Sequence, residues 1–195
     1  MKNVLVDEAR ATMLALVKPL RAETVELEDA AGRTLSEPVT ATRDQPPFTA
    51  SAMDGWAVRS DEASAGARLN IAGESAAGHG FAGGLHTGEA VRIFTGAPVP
   101  VGADTVLIQE DATREGDVLI VGAGPARGAN MRAQGGDFCE GDVLIEAGAR
   151  LDAWRLSLAA AAGRGNLSVA RRPKVAILST GDEIVLPGTE PGPHQ

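Results

Sequence analysis

Short apolar runs separated by glycines fill the middle of the chain. Five of them, at 56–59, 68–72, 90–94, 104–109 and 117–121, fall between about residue 49 and about residue 132. Each has strand length and is bounded by turn formers, so the stretch predicts a small unit resembling a β-barrel. The pattern differs on either side. Met13, Leu16, Val17 and Leu20 recur at near-helical spacing, with Asp7 placed to cap that helix and Pro19 to end it. Residues 24–28 then alternate, with Val25 and Leu27 on one side, and 29–35 read as a short helix closed before Pro38. Beyond Arg150, Asp152 caps an Ala- and Leu-rich helix that runs to about Ala162 and stops at Gly163. Finally, Val175-Ala176-Ile177-Leu178 is an uninterrupted apolar run, which predicts a strand covered on both faces and the opening of a parallel α/β sheet. The whole reads as a mixed α+β, multidomain chain.

One hexapeptide, EGDVLI, occurs twice, at 115–120 and 140–145. No longer period accompanies it, so it reads as a turn-and-strand device used twice rather than as a duplicated unit.

Composition narrows the function classes. The chain has 195 residues, of which 44% are hydrophobic, enough to bury a core. Aromatics are only 3% with no Tyr, so the cores must be packed by Val, Leu, Ile and Ala, and stacking on nucleobases is disfavoured. A net charge of -8 argues against a nucleic-acid or anionic-membrane partner. The one compact basic cluster, Arg171-Arg172 beside Lys174, reads as a solvated linker. Cys139 is the sole cysteine and excludes an internal disulfide, which fits a reducing cytoplasm; its acidic neighbours Asp137 and Glu140 disfavour a nucleophilic thiol. His79, His86 and His194 lack the spacing of a zinc site. No apolar run reaches membrane-spanning length, and the expected location is the cytoplasm.

Three loops carry the chemistry. Residues 51–58 read SAMDGWAV: Pro46 and Pro47 stiffen the approach, Gly55 supplies backbone freedom, and Asp54 stands at the tip. Thr95-Gly96-Ala97-Pro98-Val99-Pro100 and Ser179-Thr180-Gly181-Asp182-Glu183 each follow an apolar run. All three join a hydroxyl or an acid to a glycine where free backbone N–H groups can meet an anion and carboxylates can hold a hydrated cation. The absence of GxxxxGK[ST] disfavours an ordinary phosphate-loop NTPase. Ser179 or Thr180 as a hydrolase nucleophile lacks a nearby His.

Together PPFTASAMDGWAV, RIFTGAPVPVGADTVLIQED, NMRAQGGDFCEGDVLIEAGARL and VAILSTGDEIVLPG resemble the molybdopterin molybdenumtransferase family, the MoeA and gephyrin E-domain group, in the right order over nearly the whole chain. The resemblance implies an elongated strand-helix dimerisation domain from 1–48 and 133–172, a β-barrel-like domain inserted at 49–132, and the beginning of an α/β molybdopterin-binding domain at 173–195. It implies insertion of molybdate into adenylylated molybdopterin with release of AMP, assisted by Mg²⁺, in a homodimer. The molybdopterin adenylyltransferase is an implied protein partner. Asp54, Thr95 and Glu183 match functional positions, with Ser51, Thr180, Gly181 and Asp182 as binding neighbours and Asp54, Asp182 and Glu183 as the carboxylates for Mg²⁺. In such dimers the inserted domain of one subunit approaches the α/β domain of the other, so Asp54 and Glu183 are expected to meet across an interface.

The sequence departs from the family's usual pattern at Trp56, where Tyr is common, and at Thr49-Ala50, where an acid-Asn pair is common. Because Gln195 follows closely on the predicted strand, a longer protein is expected, with little turnover from this piece alone. A non-catalytic dimeric scaffold of gephyrin E-domain type is the alternative reading.

Overall fold

The computed structural model describes residues 4–195. In chain order it runs α1 (Val6–Ala15), β1 (Ala22–Glu26), a 3-10 turn (Leu27–Asp29), β2 (Val39–Thr40), β3 (Ala50–Ser51), β4 (Gly55–Val58), β5 (Arg68–Ser75), β6 (Glu89–Ile93) and β7 (Thr105–Ile108). A second 3-10 turn (Gln109–Asp111) leads to β8 (Ala112–Glu115), β9 (Val118–Val121), β10 (Met131–Arg132), β11 (Val143–Ile145), α2 (Ala153–Ala161) and β12 (Asn166–Ala170). The fold is mixed α and β and mostly sheet.

The five apolar runs of the central stretch become β4, β5, β6, β7 and β9. They form one six-stranded sheet of order β7-β4-β6-β5-β9-β8, in which only β5 and β6 are parallel. Its two edges, β7 and β8, are joined in sequence by just Gln109–Asp111. Three residues span at most about 11 Å, so the edges must meet at one end and the sheet curls into a half-barrel. Strand alternation then sorts the side chains by face. Trp56, Val58, Ala90, Leu107 and Leu119 share one apolar cluster. Ala57, Val91, Ile93 and Val106 share another, with Leu85 and Ala97 from loops over it. β4 is buried along its whole length because both faces are covered.

A third cluster joins the flanking segments. Antiparallel β1 and β12 pair from Ala22–Ala170 to Glu26–Asn166, and β2 pairs with β11. Leu35, Val39, Ile145, Leu151, Leu167 and Val169 pack there with Ala159 and Ala162 from α2. As expected, Asp152 caps α2, its Oδ1 accepting from the Arg155 N–H at 2.9 Å, and Gly163 beyond the helix has φ +82°. Both copies of EGDVLI behave alike: Gly116 and Gly141 take positive φ in turns that lead into β9 and β11.

Several expectations are corrected. Leu5, not Asp7, is the N-cap of α1; Asp7 lies in the first turn, and the helix ends at Ala15 rather than Pro19. Residues 29–35 do not form a helix. Gly32 turns the chain at φ +72°, and Thr34 and Leu35 instead bridge Arg150 and Val169, so tertiary pairing overrides local propensity. β8 and β12 are strands that the pattern did not predict. The apolar run 175–178 makes no strand: Val175, Ile177 and Leu178 are exposed, and no described strand lies alongside to complete a hydrogen-bonded ladder. Gly55 is needed for room, not for unusual backbone angles. A Cβ there would overlap the Leu107 carbonyl oxygen and lie 2.9 Å from its carbon and 3.0 Å from Ile108 Cα.

Those obstacles are backbone atoms of the neighbouring strand and cannot rotate away. Gly55→Ala is therefore expected to cost about 2–4 kcal/mol of stability, read as a lower urea midpoint at unchanged slope. A midpoint within error of wild type would show that β4 and β7 separate without cost.

Candidate functional site

The SAMDGWAV loop is closed from inside. The buried Ser51 hydroxyl donates to the Met53 carbonyl at 2.6 Å and accepts from the Met53 N–H at 3.3 Å. The Ser51 hydroxyl donor is thereby spent on the loop. Its backbone is stitched to the TGAPVP loop, with Ser51 N–H donating to Ala97 O and Gly96 N–H donating to Ser51 O, both at 2.9 Å. Gly96 adopts φ +82° to make this turn. Val99 N–H adds a third bond, to Thr49 O at 2.9 Å. Two loops far apart in sequence thus form one backbone platform. The approach includes a cis Gln45–Pro46 peptide.

Asp54 stands on that platform, partly exposed. Its Oδ1 accepts two hydrogen bonds from Thr95, from the backbone N–H at 2.8 Å and from the hydroxyl at 2.8 Å. Its carbonyl accepts from the Gln109 N–H at 3.2 Å. The Thr95 N–H, seconded by the Thr95 hydroxyl, holds the Asp54 carboxyl below the usual aspartate range against a small desolvation penalty, and the Arg92 charge adds to the effect. Asp54 is therefore an anion at neutral pH with Oδ1 occupied, while Oδ2 accepts no hydrogen bond among the described residues.

The third loop stands elsewhere. Thr180, Gly181, Asp182 and Glu183 are exposed. The Glu183 carboxylate lies over Gly181, and the local turn is closed by Ile184 N–H to Gly181 O at 3.2 Å. Asp182 and Glu183 line an open cavity of about 500 Å³ with Gly192, Pro193, His194 and Gln195. Among the described residues no hydrogen bond, ion pair or cavity connects this loop with Asp54 or Thr95. No group of three His, Cys, Asp or Glu side chains close enough to hold a metal ion occurs among them either. Within one chain, Asp54 and Thr95 are brought together and Asp182 and Glu183 are not. The donor set still suits Mg²⁺, which takes one or two carboxylates and completes its shell with phosphate oxygens and water.

Three further polar groups stand out in the structure and not in the sequence. Asp44 is held ionised by the Glu140 N–H and then the Gln134 amide. Asp104 is held so chiefly by the Ser60 N–H, and it borders a cavity of about 410 Å³ with Arg127 and Met131. Arg92 lies over Trp56 and Phe94, 5.3 and 4.9 Å from the ring centroids. A lone Arg inside the apolar strand AVRIF is the signal that could have drawn attention to it.

A family profile described as the MoeA N-terminal region (domain I and II) matches residues 4–163. The chain belongs to the MoeA family. It is 40% identical to the molybdopterin molybdenumtransferase of Haemophilus influenzae over 181 residues, which is 92% of this chain and 45% of that protein. It is 35% identical to molybdopterin molybdenumtransferase 2 of Mycobacterium tuberculosis over 196 residues, 97% of this chain and 48% of the relative. A crystal structure of a molybdopterin biosynthesis MoeA protein from Pyrococcus horikoshii superposes with a TM-score of 0.88 at 33% identity, covering all of this chain and 51% of that one. This MoeA chain therefore spans about half the length of the curated relatives it matches.

Because the folded-state pKa of Asp54 is lowered, its hydrogen bonds favour the fold above the ordinary aspartate value, and that contribution is lost as pH falls through the lowered one. Carboxyl NMR is expected to show Asp54 titrating below a solvated aspartate. Thr95→Val removes the hydroxyl donor and keeps the N–H, so it should raise the Asp54 pKa only part of the way back. An unshifted titration in the variant would remove the hydroxyl from the account.

Proposed function

We propose that the protein containing this chain is a molybdopterin molybdenumtransferase, which inserts molybdate into adenylylated molybdopterin and releases AMP. The observation that carries this reading is the Asp54–Thr95 pair, a fixed carboxylate on two interlocked loops in a chain of the MoeA family. The relatives' names support the same substrate class.

Cleaving the phosphoanhydride of an adenylylated pterin requires the bridging oxygens to be held and the charge on the departing AMP to be met. Asp54 offers one oriented anionic oxygen, Oδ2, for a cation-bound or free water at the phosphate. Thr95 keeps that oxygen aimed by fixing the other. When bound, Mg²⁺ supplies charge neutralisation at the phosphates. Glu183 and Asp182, with Thr180 and Gly181, provide the opposing acids and hydrogen-bonding groups from the second subunit of a homodimer. The exposed apolar residues of α1, together with Trp154 at 85% exposure, support pairing of subunits.

The same reading divides the chain into a strand-helix domain of 1–48 and 133–172, whose first three residues lie outside the described ones, an inserted barrel-like domain at 49–132, and the opening of an α/β domain at 173–195. The separate apolar clusters of the first two parts support that division. A cytoplasmic location, contact with the molybdopterin adenylyltransferase, and no nucleic-acid or membrane partner complete the proposal. No described helix is long and apolar enough to cross a membrane.

The test is AMP release from adenylylated molybdopterin with molybdate and Mg²⁺, using the chain extended through its downstream reading frame. Asp54→Asn is expected to lower kcat by on the order of 10²–10⁴. Mixing Asp54→Ala with Glu183→Ala subunits should restore roughly a quarter of wild-type activity, because half of the randomly paired dimers carry one intact composite site. No recovery after verified subunit exchange would refute sharing, and full activity of Asp54→Asn would refute the role of Asp54.

A further inference from the structure

Arg92 belongs to β6, directly opposite Trp56 of β4. Its guanidinium carbon lies over the Trp56 and Phe94 rings, a placement that limits its rotamers. From there it makes two hydrogen bonds. Nη1 donates to the Gly55 carbonyl at 3.1 Å, and Nη2 donates to Gln109 Oε1 at 3.0 Å. Gly55 immediately follows Asp54, and the N–H of Gln109 is the donor to the Asp54 carbonyl. One side chain therefore ties together the two strand ends between which Asp54 is suspended, the start of β4 and the end of β7. Three residues beyond Arg92, Thr95 holds the Asp54 carboxylate itself. β6 and its loop thus grip Asp54 from both its backbone and its side-chain end.

We propose that Arg92 is a positioning residue for the Asp54 carboxylate, setting the geometry of the acidic tip through the Gly55 carbonyl and the Gln109 side chain rather than by touching substrate. The inference deepens the proposed function and rests on it where activity is the readout. The guanidinium fits this task because its planar, rigid fork holds two acceptors in a fixed mutual geometry, which a lysine ammonium on its flexible stem does not. Trp56, 5% exposed, is closed to a ligand, and one N–H on each terminal guanidinium nitrogen is committed to Gly55 or Gln109, which turns the side chain toward the strands that hold the tip.

Hydrogen exchange of the Thr95 amide, whose acceptor is Asp54 Oδ1, reads the position of the carboxylate directly in the chain as it stands. Arg92→Met keeps an unbranched apolar side chain at this position and removes both donors. It is expected to speed Thr95 exchange on the order of tenfold, the loss of a hydrogen bond from a charged donor, while amides of β5 and β9 stay within about twofold of wild type. Arg92→Lys should fall between the two. Thr95 exchange within twofold of wild type in Arg92→Met would overturn the proposal. Should that variant fail to fold, Gln109→Ala decides: at an exposed position it removes one of the two acceptors, and faster Thr95 exchange is expected, whereas unchanged exchange would overturn the proposal.

In the extended protein Arg92→Met is expected to lower kcat with KM for the adenylylated pterin unchanged, and to add less than twofold to the loss caused by Asp54→Asn. Multiplying losses would show that Arg92 acts apart from Asp54. If Asp54→Asn retained full activity, the functional reading would fail on its own account, and hydrogen exchange at Thr95 would still decide whether Arg92 positions the carboxylate.

Discussion

Two donors from one residue, the backbone N–H and the hydroxyl of Thr95, meet on a single oxygen of Asp54. This contact holds the carboxyl below the usual aspartate range and leaves its second oxygen without a hydrogen bond among the described residues. It exists only because the loops around 51–54 and 95–99 are stitched by backbone bonds at Ser51, Gly96 and Val99. Those bonds in turn require β4 and β6 to be neighbours, and β4 to approach β7 closely enough that only glycine fits at position 55. The chemistry of one side chain thus depends on the packing of a whole sheet.

Much of that sheet is legible in the sequence, since glycine-bounded apolar runs of strand length state the strand positions. The pairing order is not, because period and turn signals are local while the β5–β6 parallel pairing depends on a glycine-rich crossover whose Phe81 packs against Gly73. β8 is hidden for a different reason. Its residues ATRE are mostly polar and exposed, and an edge strand shows no apolar alternation. The cap of α2 is readable from Asp152 and Gly163 alone. The start of α1 is not, since an acid in a first turn is favourable through the helix dipole without any capping bond, and sequence does not separate the two.

The site is legible in parts. Asp54 and Thr95 stand out as loop residues beside glycines, and the structure joins them. Ser51 stands out by the same signal, yet its hydroxyl closes the loop internally, because a hydroxyl two residues from a carbonyl finds it more readily than it finds solvent. Arg92 is marked only as a lone charge inside AVRIF, which by itself reads as a solvent-facing position. Its partners, a carbonyl at the start of β4 and a side-chain amide in the turn after β7, are set by the sheet order and not by the sequence around it.

The two acidic elements are not equally prepared. Asp54 is restrained by two side-chain-directed bonds, one bond to its carbonyl, and a platform of interlocked loops. Asp182 and Glu183 are exposed on a segment closed by a local turn and flanked by apolar residues that have no partner strand among the described residues. In the composite site proposed above, one wall is rigid and the other is an exposed turn. Preorganised charge contributes most where no reorganisation is needed at the moment of reaction. On the proposed reading, the half-barrel side sets the geometry of the site and the acids of the other loop conform to it. That division of labour explains why so many backbone bonds converge on one exposed aspartate in a protein with a net charge of -8, where any polyanionic substrate must be met by local arrangement rather than by overall attraction.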